Sequence, residues 1–326
     1  MPEALPKTML EVFRRQKYQL VGSHSAVKKC RWLHQSLVHG RACYKQLFYG
    51  IQTHRCIQMT PTLACNMRCV FCWRIQPEDI GVRWDSWDTS KIDDPKTIVD
   101  GCIRAQRKIL SGYKNHVLTG RLSGEKYQEA LSPKHAAVSL DGEPTLFPQL
   151  EALLEEYRKR GFTTFLVSNG TMPETLAKLS IEPSQLYVSL YGPDERTFLK
   201  ACRPHIPNAW EKVKKTLDLI PSFKNPTVVR LTLVRGVNLK NAVGYAKLIK
   251  NAAPVYVEAK AYVYVGYSRK RLEFENMPSH EEIKEFSAEL ARELSYNILA
   301  ESSDSRVVLL SKLQKPISLA RKDLSK

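Results

Sequence analysis

Three cysteines within eight residues, in the stretch "TLACNMRCVFCWR" from Thr62 to Arg74, restrict this chain more than any other feature. Cys65, Cys69 and Cys72 form a C-x3-C-x2-C series, and no fourth cysteine follows close behind. A closed structural metal site takes four protein ligands in a tetrahedron. Three leave a position open. On a cubane iron–sulfur cluster they hold three irons and leave the fourth free for a ligand that takes part in chemistry. The alternative is a zinc site completed by a remote histidine such as His54, or by another cysteine.

The series, with Phe71 just ahead of its third cysteine, resembles the cluster motif of radical S-adenosylmethionine (SAM) enzymes. That resemblance implies a [4Fe-4S] cluster whose open iron takes the amino and carboxylate groups of SAM. One electron from the cluster then breaks the sulfonium C–S bond and releases a 5′-deoxyadenosyl radical. "SLDGEPTL" ends a β-like run with Gly142, Glu143 and Pro144. Such a turn at a strand terminus lets backbone groups come close enough to accept the SAM ammonium, although by itself it is also an ordinary turn. "SNGT" and "VSLYGPDE" end two further runs. There Ser168, Asn169 and Ser189 either hydrogen-bond the ribose and carboxylate of SAM or cap their own turns.

Six short β-like runs (56–63, 136–140, 163–167, 186–190, 228–234 and 255–263) are each followed by helix-like or polar sequence. This alternation predicts an α/β fold with parallel strands and covering helices. Leu150, Leu153, Leu154 and Tyr157 share one helix face, and Trp210, Val213, Leu217 and Ile220 repeat the pattern. Six βα units are too few for a closed eightfold barrel and match a partial TIM-like (βα)6 barrel of the radical SAM type, with ligands beyond the carboxyl ends of the strands. The organisation expected is an N-terminal cluster-binding arm at 1–55, a barrel at 56–275 and a helical C-terminal extension at 276–326. The barrel carries an insertion at 74–134, too long for an ordinary βα connection and so read as a functional cap. In the extension Ser279 and Glu282 form a capping box ahead of a helix face of Ile283, Phe286, Leu290 and Leu294.

Six of the eight cysteines fall in the first 72 residues, a pattern that points to metal ligation in a reducing cytosol rather than a disulfide framework. Residues 1–20 carry charges throughout, which excludes a signal peptide or membrane span there and predicts a cytoplasmic protein. The net charge of +17 calls for a polyanionic partner. In residues 1–60 ten Lys or Arg face only Glu3 and Glu11, a local +8, beside the cysteines. RNA binding is the expectation, against a surface whose lysines only solubilise. Trp73, Trp84 and Trp87 are possible stacking platforms in or beside the insertion.

The remaining N-terminal cysteines, Cys30, Cys43 and Cys56, stand in a C-x12-C-x12-C series, again of three. This fits a second iron–sulfur cluster with an open iron; buried free thiols, or a zinc site completed by His34, His39 or His54, are the other readings. Lys45 lies two residues beyond Cys43. A lysine desolvated beside a metal can attack a carbonyl, whereas a solvated surface lysine would do nothing. Cys102 and Cys202 read as buried thiols.

The two cysteine series, with "SLDGEPTLFP", "SNGTMPE", "LYVSLYGPDE", "RLTLVRGVN" and "VGYSRKRLEFENMPSHEE", resemble the archaeal tRNA 4-demethylwyosine synthases from about Cys30 to the end. The resemblance implies a substrate, tRNA(Phe) with 1-methylguanosine on the 3′ side of the anticodon, and pyruvate as donor of two carbons to a third ring. It also implies SAM on the Cys65, Cys69 and Cys72 cluster, and a second [4Fe-4S] cluster on Cys30, Cys43 and Cys56 whose open iron chelates pyruvate. Lys45 matches the position where the family is thought to form a Schiff base with pyruvate. The flavodoxin-like domain of eukaryotic relatives is missing from this sequence, so an external donor of the ferredoxin or flavodoxin type is expected. The enzyme is expected to be a monomer.

Overall fold

In the computed structural model, which describes residues 7–82 and 91–320, the chain divides into two compact units. The first is Met1–Ala64, Ile80–Leu166 and Ile317–Lys326; the second is Cys65–Asp79 and Val167–Pro316. Among the described residues, no helix is long and apolar enough to cross a membrane.

The first unit opens with α1 (Lys7–Arg15), β1 (Gln19–Val21) and β2 (Ser25–Val27), then α2 (Arg31–His39), α3 (Tyr44–Tyr49) and β3 (Cys56–Thr60). It continues through α4 (Pro95–Ser111), α5 (Lys114–Leu118), α6 (Gly124–Leu131), β4 (His135–Val138) and α7 (Leu150–Lys159) to β5 (Thr163–Ser168). β3, β4 and β5 are parallel neighbours, with Cys56 opposite His135 and His135 opposite Thr163. Every residue of β4 is buried, as a parallel strand covered on both faces requires.

The described residues 7–55 belong to this unit. β2 pairs antiparallel with β3 (Ala26 opposite Thr60) and β1 pairs with β2, so the N-terminal segment extends the sheet. The long 74–134 connection is largely a crossover. α4 starts from an Asp94 cap, whose carboxylate accepts from Thr97 N at 2.9 Å, with Pro95 at the first helical position. It buries Ile98, Val99, Cys102 and Leu110 and packs on α7 and the first three strands. Its C-terminal end joins α2 in a separate apolar cluster through Leu33, Leu37, Leu110, Tyr113 and Tyr127, so this part of the connection buttresses the cysteine-bearing segment. Trp84 and Trp87 lie outside the described residues.

The second unit holds α8 (Pro173–Ala177), β6 (Gln185–Ser189), α9 (Glu195–Cys202), α10 (Ala209–Leu219), β7 (Thr227–Leu233), α11 (Ala242–Ala252), β8 (Tyr256–Ala261) and α12 (His280–Leu294), then β9 (Asn297–Ser302) and β10 (Val307–Ser311). β6, β7 and β8 are parallel, and β10 joins β8 antiparallel with β9 outside it. The Ser279–Glu282 capping box forms as expected, and Ile283, Phe286, Leu290 and Leu294 are the buried face of α12. Beyond α12 the C-terminal extension turns from helix to hairpin: the run Val307–Ser311 is buried throughout because it closes the exposed edge of β8. All six strands anticipated from sequence are present, three in each unit, making the six parallel βα units of a partial TIM-like barrel.

Candidate active site

In the first unit the even spacing of Cys30, Cys43 and Cys56 has a local cause. Cys30 and Cys43 each stand at the N-cap of a short helix that ends in a left-handed glycine, Gly40 (φ 67°) after α2 and Gly50 (φ 72°) after α3, and Cys56 opens β3. Each interval is therefore a cap, a short helix, a glycine stop and a loop. Thr53 fixes the second interval, its Oγ1 accepting from Cys43 N at 3.1 Å and donating to Gln46 Oε1 at 2.7 Å.

Lys45, the second residue of α3, is 9% exposed, and its Nζ lies 3.9 Å from the centroid of the Phe165 ring on β5. Its charge acts on both Cys30 and Cys56, and Cys56 also responds to Cys30 and Cys43, so the buried lysine and the three partly exposed cysteines lie near one another. Burial pushes the Cys56 thiol up to about 12, with Cys30 and Cys43 adding to the effect. Burial likewise raises Cys30, against the opposing N–H groups of Trp32 and Leu33 and the charge of Lys45. A thiol ligates metal only as thiolate. The cation of Lys45 therefore favours the form a cluster needs. Of the histidines that a zinc site could recruit, His54 Nε2 is 2.7 Å from Glu129 Oε2, His34 Nδ1 is 2.9 Å from the Tyr113 hydroxyl, and the His39 ring packs on that of His34 at 5.6 Å.

The Gly142–Pro144 turn follows β4. Glu143 N donates to Ala64 O at 2.8 Å, and Asp141 Oδ1 accepts from Gly142 N at 2.8 Å while its Oδ2 accepts from Tyr18. Gly142 has φ +62°, and a Cβ added there would stand 2.2 Å from Thr62 O and 2.6 Å from Ala64 O. Only glycine fits this close approach. Glu143 is 2% exposed, and its Oε1 accepts from Thr145 N at 3.1 Å.

The C-x3-C-x2-C loop belongs to the second unit. Asn66 Nδ2 donates to Thr171 Oγ1 at 2.8 Å, Asn169 Nδ2 donates to Asn66 Oδ1 at 2.9 Å, and Asn169 Oδ1 accepts from Thr171 N at 3.0 Å. This triangle ties the start of the loop to the turn after β5. Ser168 Oγ accepts from Gly170 N at 3.0 Å in the same turn, and the buried Ser189 bonds the hydroxyl of Tyr191, whose ring packs 4.8 Å from Phe71. Further along, Arg68 Nη1 donates to Cys65 O at 2.9 Å, and Gln76 Nε2 donates to Cys69 O at 2.9 Å. Arg271 bonds both Asp79 oxygens, at 2.6 and 2.7 Å, and the carbonyls of Val70 and Cys72. Cys69 is held well above the ordinary thiol range, first by a hydrogen bond with the buried Cys202 and then by burial.

A cubane spreads its cysteine sulfurs over separate irons. A site for one does not bring three thiols to a single point, and among the described residues no three His, Cys, Asp or Glu side chains converge as one metal ion would need. Two sets of three cysteines on short, backbone-anchored segments, each with a cation or hydrogen-bond donors beside it, have the donor chemistry that iron–sulfur clusters take. Sequence reasoning passed over Asn66, Arg68 and Arg271, which hold the cysteine loop in shape. Asn66 and Arg68 lie inside the motif, but only their partners, more than 100 residues away in the case of Thr171 and Asn169, reveal the task of Asn66.

Comparison with known proteins places this arrangement in context. The Radical SAM superfamily model matches residues 59–249, and the Wyosine base formation model matches 251–312. The S-adenosyl-L-methionine-dependent tRNA 4-demethylwyosine synthase of Pyrococcus horikoshii is 50% identical over 94% of this chain and 89% of its own length. That of Methanocaldococcus jannaschii is 39% identical over 96% and 99%. Among solved structures, TYW1 with a lysine-pyruvate adduct bound has a TM-score of 0.85 at 36% identity, over 95% of this chain and 97% of that one. With both family models and near-complete coverage by such relatives, the chain belongs to the S-adenosyl-L-methionine-dependent tRNA 4-demethylwyosine synthase family of the radical SAM superfamily.

Proposed function

We propose that this protein condenses pyruvate with 1-methylguanosine beside the anticodon of tRNA(Phe) to form 4-demethylwyosine. The observation that carries the reading is Lys45, buried on α3 and sharing one region with Cys30, Cys43 and Cys56, in a chain that also bears the C-x3-C-x2-C loop. A relative with 36% identity binds a lysine-pyruvate adduct, which supports the same use of a lysine here.

Cys65, Cys69 and Cys72 hold the first [4Fe-4S] cluster, and Gly142, Glu143, Ser168, Asn169 and Ser189 position SAM. Cys30, Cys43 and Cys56 hold the second. When bound, the first cluster and SAM supply a 5′-deoxyadenosyl radical able to take a hydrogen atom from the N1-methyl group of the nucleoside. The Lys45 amine, once deprotonated, attacks C2 of pyruvate and water leaves, giving a Schiff base whose carbon is a better acceptor than the free ketone. Burial over Phe165 keeps bulk water from hydrolysing that linkage. Asn66, Arg68 and Arg271 set the shape of the cysteine loop without touching substrate. The target base must leave its stack to reach such a site, and a chain of net charge +17 suits the folded RNA that presents it. An external ferredoxin- or flavodoxin-type protein delivers the electron to a monomeric enzyme in the reducing cytoplasm.

The test is anaerobic reconstitution with iron and sulfide, followed by dithionite, SAM, pyruvate and tRNA(Phe) carrying 1-methylguanosine, with the digested RNA read by mass spectrometry. Pyruvate-dependent 4-demethylwyosine is the expected product. Formation of 5′-deoxyadenosine without it would keep the radical chemistry and reject the substrate.

A further inference from the structure

The segment that follows β8 is bolted to the cysteine loop within the second unit. Arg271 bonds the carbonyls of Val70 and Cys72, and Tyr267 N donates to Trp73 O at 2.9 Å. Gly266 (φ +63°) allows that approach, since a Cβ there would stand 2.3 Å from Trp73 O. Beneath, Ser268 is fully buried and bonded to Tyr262 at 2.9 Å, so the segment has a defined shape.

Its outer face has an unusual composition. Val263, Val265 and Phe274 are 41%, 47% and 61% exposed, and Phe274 is the most exposed of these three. Phe274 meets Tyr264 edge to face at 6.0 Å. Cations lie over the neighbouring rings: Arg269 over Tyr264 at 5.3 Å, Lys270 over Tyr267 at 5.1 Å and Arg74 over Trp73 at 4.9 Å. An exposed apolar patch marks an interaction site. Aromatic faces interleaved with Arg and Lys are the surface that single-stranded nucleic acid takes, its bases stacking on the rings and its phosphates meeting the cations. The partner is anionic, as the charge of +17 demands.

We infer that this face, Val263 to Phe274 together with Trp73 and Arg74, is the platform on which unpaired bases of the tRNA anticodon loop stack, with Phe274 as the leading contact. This rests on the tRNA reading above and specifies where the loop lies on the protein. Holding the flanking bases next to the cysteine loop presents the modified base to the chemistry without sequence readout by hydrogen bonds.

The probe is a fluorescent anticodon stem–loop RNA of tRNA(Phe), titrated by anisotropy with the reconstituted holoenzyme. Phe274→Ala should weaken binding about tenfold, equivalent to about 1.4 kcal/mol, and Phe274→Trp should restore it. Arg269→Ala with Lys270→Ala should make the slope of log affinity against log salt shallower by about 1 for each cation. Phe274 is exposed, so unchanged iron content and melting temperature will show that the variant is folded. Wild-type affinity in Phe274→Ala, with wild-type protein binding the RNA, overturns the platform and leaves the tRNA reading standing. If the wild type itself fails to bind, both fall. If RNA binding is intact in the variant but reduction by a flavodoxin-type donor slows, the face belongs to the electron donor and the inference is rejected.

Discussion

At the scale of single residues, the reading turns on where charged side chains are placed. Lys45 is buried, with its Nζ over Phe165 and its charge acting on Cys30 and Cys56. Treating the holoenzyme with pyruvate and borohydride should add one reduced pyruvate to the wild-type protein by intact mass, and Lys45→Ala should take none. Lys45→Arg should not rescue it, because a guanidinium stays protonated and is no nucleophile. His135, opposite Cys56 in the sheet, is 4% exposed, and burial followed by the charges of Arg55, His54 and Lys134 lowers its pKa to about 4. Its Nε2 accepts from Gln52 N at 3.1 Å, which leaves the proton on Nδ1. Because its folded pKa lies below the unfolded value near 6.5, the unfolded chain binds the extra proton first. Stability therefore falls as pH drops from about 6.5 to about 4, by up to about 3 kcal/mol. Urea midpoints measured from pH 7 to pH 5 should decline more steeply in the wild type than in His135→Gln, which keeps an acceptor and loses the titration.

At the scale of elements, glycines and caps decide where functional backbone can go. Gly142 lies against the carbonyls of Thr62 and Ala64 in a left-handed conformation. Gly142→Ala should cost about 2 kcal/mol of stability from strain alone, and more as the clash moves the turn. Denaturant unfolding should show the loss, and equilibrium dialysis should show weakened SAM binding if the turn serves the cofactor. Strand positions were legible because β-branched and apolar runs bounded by turn residues leave few alternatives. The helix faces at Leu150–Tyr157 and Trp210–Ile220 were equally so, through their 3.6-residue period. The hairpin after α12 was not legible: β9 is mostly exposed, and the run Val307–Ser311 gains its strand identity by pairing with β8, some fifty residues earlier. Within the 74–134 connection the packing of α4 on α7 and the support its end gives α2 were not legible either, since no local pattern encodes such contacts.

At the scale of the whole molecule, the two cysteine sets lie in different units, Cys30, Cys43 and Cys56 in one and Cys65, Cys69 and Cys72 in the other. Each should therefore load independently. Cys43→Ala is expected to lose about half the iron and sulfide of the reconstituted wild type, and Cys69→Ala the other half together with all SAM cleavage. Iron content unaltered in Cys43→Ala would remove the second cluster. What the sequence by itself determined is the family and the class of fold. Cysteine spacing marks the radical SAM motif, and hydrophobic periodicity dictates that strands alternate with helices; both are short-range properties that survive without knowledge of the fold. The tertiary structure alone decided which groups meet. Lys45 comes to Phe165 across 120 positions, Asn66 to Asn169 across 103 and Arg271 to Cys72 across 199. Contacts at such separations are set by chain closure and side-chain packing, and a linear pattern carries no record of them.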